Sequence, residues 1–145
     1  MSTVRDVLAR KGSEVVRVPL DCTVLDAARI MSQGRIGGVL VCDADDCMVG
    51  IFTERDVLAR VVAAQRDPAA TVVSDVMTPN PVSISSLTSL DVCSALMTQR
   101  RVRHLPVVDD GELRGMITPG DLLAFRMAEQ ETLIQDLQHY VFDIR

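Results

Sequence analysis

Gly50-Ile51-Phe52-Thr53-Glu54-Arg55-Asp56 and Gly115-Met116-Ile117-Thr118-Pro119-Gly120-Asp121 share one pattern, Gly-apolar-apolar-Thr-x-x-Asp, at an offset of 65 positions. Upstream, Val41-Cys42-Asp43 meets Val107-Val108-Asp109 at an offset of 66. At that same offset Arg29-Ile30-Met31-Ser32-Gln33-Gly34-Arg35-Ile36 meets Ala95-Leu96-Met97-Thr98-Gln99-Arg100-Arg101-Val102. The one-residue slip falls between Asp43 and Gly50, where Ala44-Asp45-Asp46-Cys47 stands against Asp110-Gly111-Glu112. Acidic residues and glycine there signal a hairpin turn, where an insertion costs least. Similarity that breaks only at a turn marks an internal duplication.

Each copy has the same order of elements. A short strand (Glu14 to Val18; Val82 to Ile84) precedes a helix with Thr23 or Ser89 as N-cap. Within the helices Val24, Ala27, Ala28 and Met31 match Leu90, Cys93, Ser94 and Met97 as a stripe at helical spacing. An apolar strand (Gly38 to Cys42; Leu105 to Val108), the hairpin and a second strand (Met48 to Phe52; Leu113 to Ile117) follow. A second helix then begins near Arg55 or Gly120. The expected fold is α+β: two strand-helix-strand-strand-helix repeats, packed with pseudo-two-fold symmetry, plus a C-terminal helix. A repeat of about 60 residues buries too little surface to be comfortable alone, hence the expected packing. The expected boundaries are 1–64 for the first repeat, 65–73 for a linker, 74–126 for the second and 127–145 for the extension.

The 145 residues are 48% apolar and 24% charged, an ordinary globular composition. With no Trp, and only Phe52, Phe125, Tyr140 and Phe142 aromatic, the core falls to Val, Leu, Ile, Ala and Met. A net charge of −5 argues against nucleic-acid binding, which needs a basic surface. The four cysteines form no CxxC pair and the two histidines stand far apart, so no metal site is expected. Reduced thiols and no signal peptide suggest a cytoplasmic location. No apolar run is long enough to span a membrane.

The duplicated pattern, with Met77-Thr78-Pro79-Asn80-Pro81-Val82 upstream of the second copy and His104-Leu105-Pro106-Val107-Val108-Asp109 within it, resembles tandem CBS (cystathionine-β-synthase-type) domains over roughly residues 4 to 125. The resemblance implies a stand-alone regulatory pair, often a homodimer, holding an adenosine ligand in the cleft between repeats. Candidates are AMP foremost, then ADP, ATP, an NAD-type ligand or S-adenosylmethionine. The ligand is regulatory, not an obligatory cofactor.

By itself Thr-x-x-Asp is a helix capping box. Capping and binding are compatible, because a helix start offers N–H groups to an anion and an aspartate one turn in can accept from ribose hydroxyls. The resemblance gives these roles to Thr53 and Asp56 in the first site, and to Thr118 and Asp121 in the second. Arg55 stands where a cation meets phosphate. Gly120 replaces it in the second site, after Pro119, which leaves that phosphate end weaker. The adenine positions implied by the family are Ser13, Glu14 and Val16 with Ile36, Gly37 and Gly38, and Thr78, Asn80 and Val82 with Val102, Arg103 and His104. Gly37-Gly38 either admits a ring or permits close strand-helix packing. His104 is either a core histidine or a phosphate partner beside Arg101 and Arg103; that basic bunch is either an anion site or a solvated turn.

After Asp121 the chain continues as a helix toward Tyr140. Its stripe of Leu133, Ile134, Leu137, Tyr140 and Val141 either folds back or pairs with a second copy. No nucleophile elbow and no P-loop lysine is present, so the expected function is not catalytic. A ligand sensor that signals through a conformational shift to an effector protein is expected; the alternative is a ligand-independent dimeric interaction module with vestigial sites.

Overall fold

Gly38-Val39-Leu40-Val41-Cys42 has no polar residue to turn toward water, so it must be covered on both faces. In the structure, a computed structural model describing residues 1–143, it is strand β2, buried at every position. Helix α1 (Val4–Lys11) precedes β1 (Arg17–Pro19), which runs parallel to β2 (Gly38–Cys42) across the connecting helix α2 (Val24–Gly34). A parallel pair needs such a crossover, whereas the turn after Cys42 returns the chain directly as the antiparallel β3 (Met48–Thr53). Thr23 caps α2 by accepting from the Asp26 N–H at 3.1 Å, and Val24, Ala27 and Met31 face inward, as their spacing predicts. They meet Val18, Val39, Val41, Phe52 and Val61 in one apolar core.

The second helix of the first copy is irregular. It opens as α3 (Glu54–Asp56) and continues as a π-helical stretch over Val57–Val62. A single 3-10 turn, Val73–Asp75, leads into a strand the sequence did not suggest, β4 (Thr78–Pro79). β4 pairs antiparallel with β3 and completes a four-stranded sheet in the order β1-β2-β3-β4.

The second copy repeats the plan. Helix α4 (Leu90–Arg100), capped by Ser89, leads to the antiparallel strands β5 (Leu105–Asp109) and β6 (Glu112–Ile117). The strand expected at Val82–Ile84 is reduced to a parallel bridge between Ile84 and Val107. Helix α5 runs from Pro119 to Asp143 and packs against α1 and α4. Beyond that packing, Leu133, Ile134, Leu137, Tyr140 and Val141 are each more than half exposed, so this half of the helix does not fold back. The last two residues of the expected 127–145 extension lie outside the described residues.

The chain divides into two compact units: residues 14–82, and residues 1–13 together with 83–145. Each therefore takes its leading segment from outside its own copy. Residues 74–82 complete the first copy's sheet, and α1 packs with the second copy. A glycine explains each docking. A Cβ on Gly50 would collide with the Met77 sulfur and lie 2.9 Å from the Thr78 carbonyl oxygen. At the corresponding Gly115 it would lie 2.7 Å from Leu8 Cδ2.

Candidate functional site

β3 ends on Thr53, whose N–H donates to Asp56 Oδ2 at 3.0 Å, while the Asp56 N–H donates to Thr53 Oγ1 at 3.4 Å. This is the capping box that Thr-x-x-Asp predicts. The Thr53 hydroxyl also donates to Asp56 Oδ2 at 3.3 Å. Asp56 is only 5% exposed, so its other oxygen needs partners as well. Thr78 Oγ1 on β4 donates to Asp56 Oδ1 at 3.1 Å, and Arg60 Nε stands 3.7 Å from the same oxygen. Arg60 in turn donates to the Met77 carbonyl at 2.7 Å, clasping β4 to this helix.

Of the residues expected in the first site, Gly37 and Gly38 join Thr53, Arg55 and Asp56 at this corner. Gly38 pairs with Thr53 across the strands, and the Gly37 carbonyl accepts the Glu54 N–H at 3.0 Å. Ile36 packs on the core edge, and the Val16 carbonyl accepts the Leu40 N–H at 3.0 Å. Glu14 and Arg55 are exposed. The N–H groups of Glu54 and Asp56 are thus used within the protein, and the Thr53 hydroxyl is shared with Asp56, so the exposed Arg55 is the charged group this corner offers an anion.

The sequence grouped Thr78, Asn80 and Val82 with the second copy; the structure puts them with the first. Thr78 touches Asp56, and Asn80, in the left-handed region at φ 47°, donates its N–H to the Val49 carbonyl at 3.4 Å. Val82 closes the same unit. The reason is the unrecognised strand β4, which belongs to the first copy's sheet. Ser13 is displaced the other way, into the unit of the second copy.

In the second copy the Thr118 N–H donates to Asp121 Oδ2 at 2.9 Å and the Asp121 N–H to Thr118 Oγ1 at 3.3 Å. The third partner differs. Lys11, the chain's single lysine, donates to Asp121 Oδ2 at 2.6 Å and to the Met116 carbonyl at 2.8 Å. Gly120 is exposed, and its nearest neighbour on adding a Cβ would be Thr118 Oγ1 at 3.8 Å, so the missing arginine has space. Val102 and Arg103 line an open cleft of about 470 Å³ with Met97, Pro119, Leu122 and Arg126. Thr118 and Asp121 are not among its walls. His104 is half-buried on the approach to β5.

Sequence reasoning missed three contributors: Lys11, Arg60 and the partnership of Thr78 with Asp56. For two of them the sequence carried a sign of the docking segment, though not of the contact it makes. Val4-Arg5-Asp6-Val7-Leu8 matches Val73-Ser74-Asp75-Val76-Met77, and Leu8 and Met77 are the side chains that meet Gly115 and Gly50. Burial raises the thiols of Cys22, Cys42 and Cys93 above the ordinary range, which keeps them protonated and unreactive. Among the described residues no cluster of three or more His, Cys, Asp or Glu is placed to hold a metal, and no helix is long and apolar enough to cross a membrane.

The CBS domain family model matches residues 4–63 and 73–128. CBSX3, a mitochondrial CBS domain-containing protein of Arabidopsis thaliana, is 32% identical over 97% of this chain and 72% of its own length. A solved structure of a putative signal-transduction protein with CBS domains from Burkholderia ambifaria is 40% identical, with a TM-score of 0.85, covering 89% of this chain and 96% of that one. CBSX2, solved in complex with AMP, is 28% identical with a TM-score of 0.73, over 90% of this chain and 99% of that one.

Proposed function

Because the chain belongs to the CBS domain family, with two copies in tandem, we propose that it is a regulatory module that binds an adenosine nucleotide, AMP foremost, and catalyses no reaction. One observation carries this reading. In both copies a strand delivers a threonine hydroxyl and, one turn on, an aspartate carboxylate to the same corner, with Gly37-Gly38 at the entry of the neighbouring strand in the first copy and Val102-Arg103-His104 before it in the second. Asp56 and Asp121 accept ribose hydroxyls, each charge-assisted bond worth about 1.5 to 3 kcal/mol. Thr53 with Arg55, and Thr118 with Arg103 and His104, meet the phosphate. Ser13, Glu14, Val16, Ile36, Gly37, Gly38, Thr78, Asn80, Val82 and Val102 supply the apolar walls and backbone groups for adenine. Gly120 marks the weaker phosphate end. The AMP complex of CBSX2 supports this ligand class.

The bound state is passed to an effector protein by a population shift, which requires the ligand to prefer one conformation of the chain. The working form is a homodimer, and the free thiols suit a reducing compartment such as the cytoplasm. The domain limits 1–64 and 74–126 describe the duplicated units of sequence, while the linker 65–73 and the leading segments allow each to be completed by the other's flank.

A second reading has an observation in its favour. Both carboxylates already have protein partners, Thr78 and Arg60 at Asp56 and Lys11 at Asp121, so a ribose must displace or share them. Vestigial sites in a dimeric interaction module would look like this. A thermal-shift panel of AMP, ADP, ATP, NAD and S-adenosylmethionine separates the two. A ligand at about a hundred times its Kd stabilises by about 2.7 kcal/mol, which raises the melting temperature by several degrees. A flat response to all five supports the interaction module, and nucleotide turnover detected by chromatography would contradict both readings.

A further inference from the structure

Counted in sevens, the exposed face of α5 has a regular seam. Leu123, Gln130 and Leu137 take one inner position of the heptad, and Met127, Ile134 and Val141 the other. The apolar members of this seam are 55–62% exposed, an unusual state for so continuous a stripe. A shallow open groove runs along it between Met127, Gln130, Glu131 and Ile134. We propose that α5 pairs with α5 of a second copy of this chain as a parallel, in-register two-stranded coiled coil. The inference rests on the homodimer reading above and assigns it a surface, an orientation and a register.

Three features select this occupant. Leucine at the d position with the β-branched Ile134 and Val141 at a is the combination that favours two parallel strands. Gln130 is the one polar residue of the seam. In a parallel, in-register pair its amide lies beside its own twin and can hydrogen-bond to it, whereas any other register sets it against an apolar side chain. Flanking charges agree with the same register. Arg126 at a g position reaches Glu131 at the following e position of the other helix in a parallel pair. Arg126 donates one N–H to Asp91 of its own chain at 3.1 Å, which leaves the other edges of its guanidinium for that contact. Leu133 and Tyr140 widen the apolar strip at the remaining g positions.

Parallel pairing places each residue opposite itself, and that is directly measurable. In a Cys47→Ser background, which removes the exposed native thiol, Leu123→Cys and Leu137→Cys are made separately, with Gln135→Cys on the outer face as control. A disulfide needs Cα atoms within about 7 Å, so both seam positions should cross-link under mild oxidation on the order of tenfold faster than the control. Sedimentation of the unmodified chain gives the oligomeric state independently. A dimer whose seam cysteines link no faster than Gln135→Cys, or only one of which links, overturns the coiled coil and leaves the dimer reading standing; only one linking is what an antiparallel pair would show. A monomer overturns both. A seam cysteine that links to a different protein and never to its own copy also contradicts the proposal.

Discussion

Asp56 and Asp121 occupy the same place in the two copies and make the same capping box, yet their surroundings differ. Asp56 is buried and its second oxygen is held by a neutral hydroxyl, with Arg60 at 3.7 Å. The Asp121 side chain is 21% exposed and faces a lysine at 2.6 Å. Asp6 provides a control within the same chain. Thr3-Val4-Arg5-Asp6-Val7-Leu8-Ala9-Arg10 nearly repeats Thr53 to Arg60, and it too makes the box, with the Thr3 N–H donating to Asp6 Oδ2 at 2.9 Å. At α1 the motif simply starts an eight-residue α-helix. At α3 the same run yields to a π-helical stretch, with Val61 buried and Leu58 exposed. Thr-x-x-Asp is thus a helix start wherever it occurs. What distinguishes the two candidate sites is the strand before it and the segment that docks over it.

The largest test of the comparison is truncation of the two carboxylates. Asp56→Ala removes a cap and leaves the Thr53 N–H and the Thr78 hydroxyl without their acceptor in a buried corner, and should lower stability by about 3 kcal/mol. Asp121→Ala loses a similar cap and a partly screened ion pair, about 1 to 1.5 kcal/mol. Urea denaturation of both variants measures the gap, and equal losses would mean that burial does not separate the sites.

A smaller contrast concerns the glycines beneath the docking segments. Gly50→Ala meets the Thr78 backbone, which cannot move without displacing β4, and should cost about 2 kcal/mol. Gly115→Ala meets only the far end of Leu8 and should cost less than about 1 kcal/mol. The same denaturation series reports it, and a reversed order would show that β4 is loosely held.

Smaller still is the effect of restoring the missing cation. Gly120→Arg has space and no positive φ to oppose it, and should tighten AMP at the second site about three- to tenfold. Calorimetry at low salt reads this, and high salt should erase most of the gain. If the variant binds as the unmodified chain does, Arg55 is not the feature that separates the phosphate ends.

The smallest expected effect is on acid stability. The Ser86 hydroxyl and N–H hold the Asp109 carboxyl below the ordinary carboxylate range. A depressed carboxyl adds stability that is complete above its unfolded-state pKa and lost as the pH falls through its lower folded value. Asp109→Asn should therefore lower stability slightly at neutral pH, and urea denaturation at stepped pH should show the two chains converging as the pH falls, so that the acid limb of the variant is flatter. Asp43, its counterpart in the first copy, instead accepts the N–H groups of Asp45 and Cys47 within its own turn.

Most of the fold was legible because the duplication supplies each reading twice. The helix stripes at Val24, Ala27 and Met31, the caps at Thr23 and Ser89 and the apolar strand at Gly38 to Cys42 all follow from local rules. β4 was not legible, since Thr78-Pro79 is two residues long, contains a proline and has no alternation. Its strand character comes from Gly50, which lets Met77 and Thr78 approach β3. Lys11 was equally hidden. An ammonium finds a carboxylate 110 positions away only once α1 has docked, and no spacing rule reaches that far.

Calorimetric titration of AMP into the unmodified chain, Asp56→Asn and Asp121→Asn tests the central claim most directly. The account predicts two unequal sites in the unmodified chain, with the tighter lost in Asp56→Asn and the weaker in Asp121→Asn. Three superimposable isotherms, or no heat in any of them, would contradict it.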